Sequence, residues 1–159
     1  MCHHGPMSDP RARAARQAYR RKLPHIQRPG STLFVTFVTK ERLRLPESVR
    51  DVVLACCTFP HGTKFQLHAA VVMPDHVHML FTPLRDADSG YFGLAEIMNA
   101  VKGVSARRVN QLLGRSGALW QTESFDHVLR SGEHTREKAE YICANPVRAG
   151  LFDHEDEYR

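Results

Sequence analysis

Two histidines one residue apart are the first group in this sequence whose type and spacing suit chemistry. His76 and His78 flank Val77 inside an apolar stretch that runs from 71 to 81. Because side chains alternate between the two faces of a β-strand, a strand here directs both imidazoles to the same face. Two imidazoles at that spacing can share one metal ion. The spacing alone favours a plainer alternative, a strand with two polar residues on a solvent-exposed face.

A tyrosine and an asparagine near the end of the chain form the second such group. The charged residues at 136–140 predict a helix, and Pro146 followed by Gly150 predicts its end. Tyr141 and Asn145 are then one helical turn apart on the same face. Together with the two histidines, this phenol and this carboxamide can form a metal site beside a nucleophile. The alternative for Tyr141 is a helix residue that packs on a sheet.

These side chains need a folded domain to bring them together, and the apolar pattern predicts its elements. Alternation predicts four strands, at 32–39, 65–73, 76–82 and 125–130. Pro46 suits the first turn of a helix at 46–57, and helical periodicity predicts a second helix at 94–114. The tyrosine lies on a further helix. Strand, helix, strand, strand, helix, strand is the ferredoxin-like order. We therefore expect an α+β fold: an antiparallel sheet with helices on one face and an appended, tyrosine-bearing C-terminal helix.

Composition and length are those of a single domain with a core. The chain has 159 residues, of which 42% are hydrophobic. No apolar run approaches the ~18 residues of a membrane span, and the N-terminus has no apolar signal core. We therefore expect a cytoplasmic protein with no membrane partner. A net charge of +5 favours an anionic partner. The four cysteines form no C-x-x-C pair, which predicts reduced thiols.

Several motifs, in order along the chain, resemble the REP-associated tyrosine transposases, which are single-tyrosine HUH transposases. HUH denotes His, hydrophobic residue, His, and here it is His76-Val77-His78, preceded by 71–75. The second motif runs from Tyr141-Ile142 into 145–151. The resemblance spans roughly residues 20 to 152, and its other segments are 20–25, 34–37, 119–121 and 125–127.

This resemblance implies an HUH endonuclease fold and a role for each site residue. His76 and His78 match the histidine metal ligands, Asn145 the amide-bearing third ligand, and Tyr141 the nucleophile. The implied cofactor is Mg²⁺ or Mn²⁺, and the implied intermediate is a 5′-phosphotyrosine. The implied substrates are single-stranded DNA hairpins of the repetitive extragenic palindromic type, and such a substrate implies a nucleoid-associated protein. Related enzymes act as monomers or as homodimers that exchange tyrosine helices.

Basic residues lie where they can contact the phosphates of such a substrate. Segment 11–28 contains seven Arg or Lys and no acidic residue, so we expect a basic, partly disordered arm at 1–24 and the transposase domain at 25–155. A solvated, partly helical tail is the alternative. In the helix at 94–114 the apolar stripe includes Val104, and other positions are basic. The predicted DNA-contacting residues are Arg20, Arg21, Lys22, Lys102, Arg107 and Arg108.

Three further side chains each have two interpretations. Asp75 can orient a histidine as a hydrogen-bond acceptor, although a turn residue is the plainer account. Trp120 can stack on an unpaired base or pack in the core. For His127, a structural role on an edge strand is favoured over a metal site.

Three functions remain, and they differ in what they predict. The first is a metal-dependent single-stranded DNA endonuclease and strand transferase that acts in DNA transposition or repeat processing. The second is a catalytically silent, sequence-specific DNA-hairpin-binding protein, and the four intact site residues count against it. The third is a ferredoxin-like domain that binds a small anion or a metal, for which neutralising the basic arm leaves DNA affinity unchanged.

Overall fold

A four-stranded antiparallel sheet forms the centre of the protein. The computed structural model describes residues 30–88, 90–130, 134–151 and 153. The strands are β1 (Leu33–Thr39), β2 (Phe65–Val72), β3 (His76–Pro83) and β4 (Trp120–Val128). Their order across the sheet is β2-β3-β1-β4, and each neighbouring pair is antiparallel. The predicted basic arm at 1–24, with Arg20, Arg21 and Lys22, lies outside the described residues.

The helices connect these strands in the predicted order. They are α1 (Glu47–Thr58), α2 (Leu94–Leu112), α3 (Thr135–Cys143) and the short α4 (Asn145–Arg148). The order β1-α1-β2-β3-α2-β4, together with the strand order, confirms the α+β, ferredoxin-like prediction. α3 and α4 are the appended C-terminal part, and α3 carries the tyrosine.

The main core lies between one face of the sheet and helices α1 and α2. Strand alternation directs Leu33, Val35 and Phe37 of β1 to this face, as predicted. Val77 and Met79 of β3 reach the same core and are fully buried. Because both neighbours of His78 point into this core, the histidine itself has to point to the opposite face of the sheet.

The opposite face of the sheet has its own, smaller core beneath α3. Ile142 of α3 is fully buried there against Phe34, Val71 and Leu80. The helix that carries the tyrosine therefore docks on the histidine side of the sheet, away from α1 and α2. Within the described residues, no helix has both the length and the apolar character that a bilayer crossing needs.

Two details of the predicted elements are wrong. β4 begins at Trp120 rather than at 125, since the three residues after the buried Trp120 are exposed and polar and give no apolar alternation. In α2, Val104 is exposed while Ser105 is buried. The Ser105 hydroxyl lies 2.7 Å from the Val101 carbonyl oxygen and accepts from Trp120 Nε1 at 3.0 Å, which satisfies a polar group inside the core.

Candidate active site

The two histidines stand side by side on the face of the sheet that α3 partly covers. Their ring centroids are 4.8 Å apart, and the ring planes are inclined by 74°. β3 is an inner strand, paired with β2 on one side and with β1 on the other. Its register sets His78 opposite Thr36 and His76 opposite Val38. Pairing on both sides holds the two imidazoles at a defined separation.

His76 is oriented by Asp75, the residue before it. Asp75 Oδ1 lies 2.7 Å from His76 Nδ1, and its Oδ2 accepts from Arg42 at 3.2 Å. Burial by itself would raise the pKa of Asp75, but the hydrogen bonds from His76 and Arg42 outweigh it and leave that pKa below its ordinary value. An ionised carboxylate only accepts, so Nδ1 of His76 carries the hydrogen. Its Nε2 then has the lone pair that a metal ligand requires.

His78 is oriented by a partner on the neighbouring strand. Its Nδ1 lies 2.7 Å from Thr36 Oγ1, and its ring stacks on Phe34 with centroids 5.4 Å apart. Burial, followed by the positive charges of His76 and Lys138, lowers the pKa of His78 to about 4. The ring is therefore neutral near pH 7, as metal ligation requires. When the Thr36 hydroxyl accepts from Nδ1 of His78, Nε2 keeps its lone pair and is the ligating atom.

Tyr141 lies on α3, which Ile142 anchors to this same face. Tyr141 itself is 42% exposed, so its phenol is accessible to a substrate. Two cations lie over its ring: Lys138 Nζ at 5.3 Å and the Arg148 guanidinium at 4.9 Å from the centroid. Lys138 Nζ is also 4.6 Å from the centre of the Phe34 ring, on which His78 stacks. These contacts link the tyrosine to the histidine pair and create a positive environment around the phenol.

Asn145 begins α4, one helical turn after the tyrosine as the spacing predicts. Its Nδ2 donates to the backbone carbonyl of Tyr141 at 3.1 Å, so Oδ1 is the atom with which it can ligate. Among the described residues, no group of three or more His, Cys, Asp or Glu is arranged to hold a metal. A third ligand from the described part of the chain, beside His76 and His78, is then of another type. Two imidazole nitrogens and an amide oxygen, with further positions open, fit a divalent cation.

The predicted DNA-contacting residues of α2 lie on the other side of the sheet from the histidines. Lys102 Nζ donates to the backbone carbonyls of Gln121 at 2.7 Å and Thr122 at 3.1 Å, and its burial lowers its pKa. Burial raises the pKa of the Cys56 thiol by more than the positive charge of Arg108 lowers it, and Arg107 is exposed. Contacts of these residues with DNA remain a prediction. The position of Lys102 gives it a structural role in holding the start of β4.

Four residues around the site were not predicted from the sequence. Thr36 and Arg42 orient the histidines directly or through Asp75, and Lys138 and Arg148 surround Tyr141. The signal for Lys138 was present, since it lies three residues before Tyr141 on the same helix. Thr36 and Arg42 gave no signal, because their partners are more than thirty residues away in the chain.

Comparisons with known proteins agree with this geometry. The model of the family described as "Transposase IS200 like" matches residues 32–144, which include both histidines and the tyrosine. A Haemophilus influenzae protein named as a REP-associated tyrosine transposase is 22% identical over 131 residues, or 78% of this chain and 74% of that protein. A solved REP-associated tyrosine transposase bound to a REP hairpin shares the fold, with a TM-score of 0.59 and 21% identity; the match covers 82% of this chain and 74% of that one. Because the family model covers most of its length, this chain belongs to the IS200-like transposases.

Proposed function

We propose that this protein is a metal-dependent single-stranded DNA endonuclease and strand transferase that acts through Tyr141. One observation carries the proposal. Both histidines have their Nδ1 atoms engaged, by Asp75 and by Thr36, so both Nε2 atoms are prepared for one metal ion. The helix with Tyr141 docks on that same face of the sheet. A structural zinc site would instead use four protein ligands.

The proposed reaction exchanges one phosphodiester bond for another. The phenol oxygen of Tyr141 attacks the scissile phosphorus and loses its proton, and the bond from phosphorus to the 3′ oxygen breaks. The products are a 5′-phosphotyrosine and a free 3′-hydroxyl. Because the new ester conserves the energy of the old one, a 3′-hydroxyl can reverse the step and join a strand without an external energy source.

The side chains of this chain supply three of the requirements of this reaction. Lys138 and Arg148, over the tyrosine ring, attract the DNA phosphate to the phenol. His76, His78 and the Oδ1 atom of Asn145 would hold Mg²⁺ or Mn²⁺. When bound, such an ion draws off charge that develops on the phosphate and orients the attack. Asp75 holds the hydrogen of His76 on Nδ1, and Thr36 orients the ring of His78.

DNA hairpins with single-stranded flanks are the proposed substrate. The solved REP-associated tyrosine transposase that shares this fold is bound to a REP hairpin. The net charge of +5 suits a polyanion, and the covalent chemistry of a tyrosine suits strand transfer. We propose that the protein acts in transposition or in the processing of chromosomal repeats.

A covalent adduct assay tests this function. The full-length protein is incubated with a hairpin oligonucleotide labelled at its 3′ end, with Mn²⁺ or with EDTA, and is run on a denaturing gel. A 5′-phosphotyrosine retains the 3′ fragment, so we expect a labelled protein band with Mn²⁺ and none with EDTA. The same oligonucleotide labelled at its 5′ end should release a free fragment instead.

Two variants make the assay specific. Tyr141→Phe should abolish the adduct, while Tyr91→Phe, which changes a tyrosine on the loop before α2, should leave it intact. Hairpin binding on a native gel should survive in both variants. A protein that binds the hairpin normally but forms no adduct under any metal condition would refute the enzymatic proposal and establish the silent DNA-binding alternative.

A further inference from the structure

The tryptophan expected as a possible base-stacking residue is part of the core. Trp120 is only 6% exposed, its Nε1 donates to Ser105 Oγ at 3.0 Å, and its ring meets Phe37 edge to face at 4.8 Å. A ring held by a buried hydrogen bond and an aromatic neighbour cannot rotate out to a nucleotide without disrupting the core. If this protein stacks on an unpaired base, it has to use another aromatic residue.

Phe125 is an aromatic residue in the right position for that role. It lies in the middle of β4 and is 63% exposed in the part of the chain that the structure describes. In the antiparallel register, Phe125 pairs with Thr36, and Thr36 pairs with His78. Directly paired residues of an antiparallel sheet point to the same face. The three side chains therefore form one row across β4, β1 and β3, on the histidine side of the sheet.

The spacing between the strands of this row puts the phenyl ring close to the candidate metal site. Neighbouring strands are roughly 4.8 Å apart, so two strand spacings put Phe125 and His78 about 10 Å apart at their backbones. The helix α3 covers the other half of this face, where Ile142 packs on Val71 and Leu80. The ring thus lies beside the site but outside the area that α3 covers.

A cation on the same face complements the aromatic ring. Lys138 Nζ stands 4.6 Å above the ring of Phe34, which lies two residues from Thr36 on β1. A positive charge for the phosphates and an exposed aromatic ring for the bases, on one face of a sheet, are the combination that proteins use to hold single-stranded nucleic acid.

We propose that Phe125 is a stacking platform for an unpaired base of the DNA strand next to the scissile phosphate. This inference rests on the proposed function for the identity of its ligand. Stacking on the phenyl face accepts any base, so the residue would contribute affinity for the single-stranded flank rather than for the paired hairpin stem. It would also direct the flank across Thr36 towards His78.

Two oligonucleotides in a Tyr141→Phe background, in which no cleavage interferes, test the proposal. One is a DNA hairpin without a tail, and the other is the same hairpin with an unpaired thymidine tail that contains one 2-aminopurine. We expect Phe125→Ala and Phe125→Leu to raise the Kd for the tailed hairpin about tenfold. The Kd for the tailless hairpin should not change. Phe125→Trp should restore tail binding, and quenching of 2-aminopurine fluorescence should follow the same order.

Phe59→Ala is the matched control, because Phe59 is an exposed phenylalanine just after α1. It should leave both Kd values unchanged. Normal tail binding by Phe125→Leu would overturn the proposal, because it would show that only an apolar surface is needed. A concentration-dependent dimer that Phe125→Ala dissociates, with tail affinity unchanged, would also overturn it and assign the ring to contact between copies.

The result of the tail-binding test and the result of the adduct assay can be told apart. A protein that forms the Tyr141 adduct but binds the tail equally well without Phe125 retains its proposed function and loses this subsite. A protein that forms no adduct but loses tail affinity in Phe125→Ala retains the subsite as part of a DNA-binding module.

Discussion

His78 makes the stability of the metal-free protein depend on pH, and the structure sets the size of the effect. Burial and the nearby charges of His76 and Lys138 lower its pKa from 6.5 to about 4. A shift of this size corresponds to ~3 kcal/mol, which solvent screening at the partly exposed ring reduces to about 2 kcal/mol. Between these two pKa values the unfolded chain binds a proton that the folded chain does not. The stability contributed by neutral His78 is therefore fully present above pH 6.5 and is lost as the pH falls towards 4.

The comparison of wild type with His78→Asn isolates this contribution. The asparagine amide occupies the position of Nδ1 and can keep the hydrogen bond with Thr36 Oγ1, but it does not titrate. Urea unfolding in EDTA, at about pH 7 and about pH 4, gives the loss of unfolding free energy for each protein. The two proteins have the same carboxylates, so protonation of these groups lowers the unfolding free energy of both by the same amount. We expect the wild type to lose about 2 kcal/mol more than His78→Asn.

His134→Asn is the control, because His134 is exposed before the first turn of α3. It should lose as much stability as the wild type over this pH range. The reasoning is refuted if His78→Asn shows the same loss as the wild type, since the imidazole would then bind protons equally well in both states. It is also refuted if the wild-type loss is the smaller of the two.

Three further predictions concern the supports of the site. Asp75→Asn removes the charge that orients His76, so the Mn²⁺ affinity measured by calorimetry should fall at least about tenfold. An unchanged affinity would show that Asp75 is only a turn residue. Ile142→Ala opens a cavity beneath α3 and should cost about 3 kcal/mol in urea unfolding; a loss near zero would mean that α3 is not docked on its own sheet. Lys102→Met should lower the unfolding free energy by about 1 kcal/mol and leave the salt dependence of hairpin binding unchanged. Arg107→Gln should reduce the slope of log K for hairpin binding against log salt concentration by about one. The reverse result would assign Lys102 to DNA.

Much of the site was predictable because it depends on short-range geometry. Side chains two residues apart in a strand share a face, so His76 and His78 lie on one face of the sheet. The 3.6-residue helical period puts Tyr141 and Asn145 on one face of their helix. The tight turn at Pro74-Asp75 joins β2 to β3 as an antiparallel pair. These relations involve residues close in the chain, so the pattern of residue types is sufficient to specify them.

The errors arose where a contact distant in sequence overrides the local pattern. Periodicity assigned Val104 to the apolar stripe of α2, but the buried position is Ser105, which bonds Trp120 Nε1. The start of β4 was missed because an edge strand needs no apolar alternation to pair with β1. Neither hydrogen bonding nor pairing with a distant strand leaves a trace in hydrophobic periodicity.

The sequence by itself determined the element order, the shared face of the two histidines and the spacing of tyrosine and asparagine. Only the tertiary structure decided that α3 docks on the histidine side of the sheet and that Thr36 is the partner of His78. It also decided that Phe125 lies in their row. The physical reason is strand register: pairing between β1, β3 and β4 is set by packing across the whole core, and a shift of one residue would turn each of these side chains to the other face.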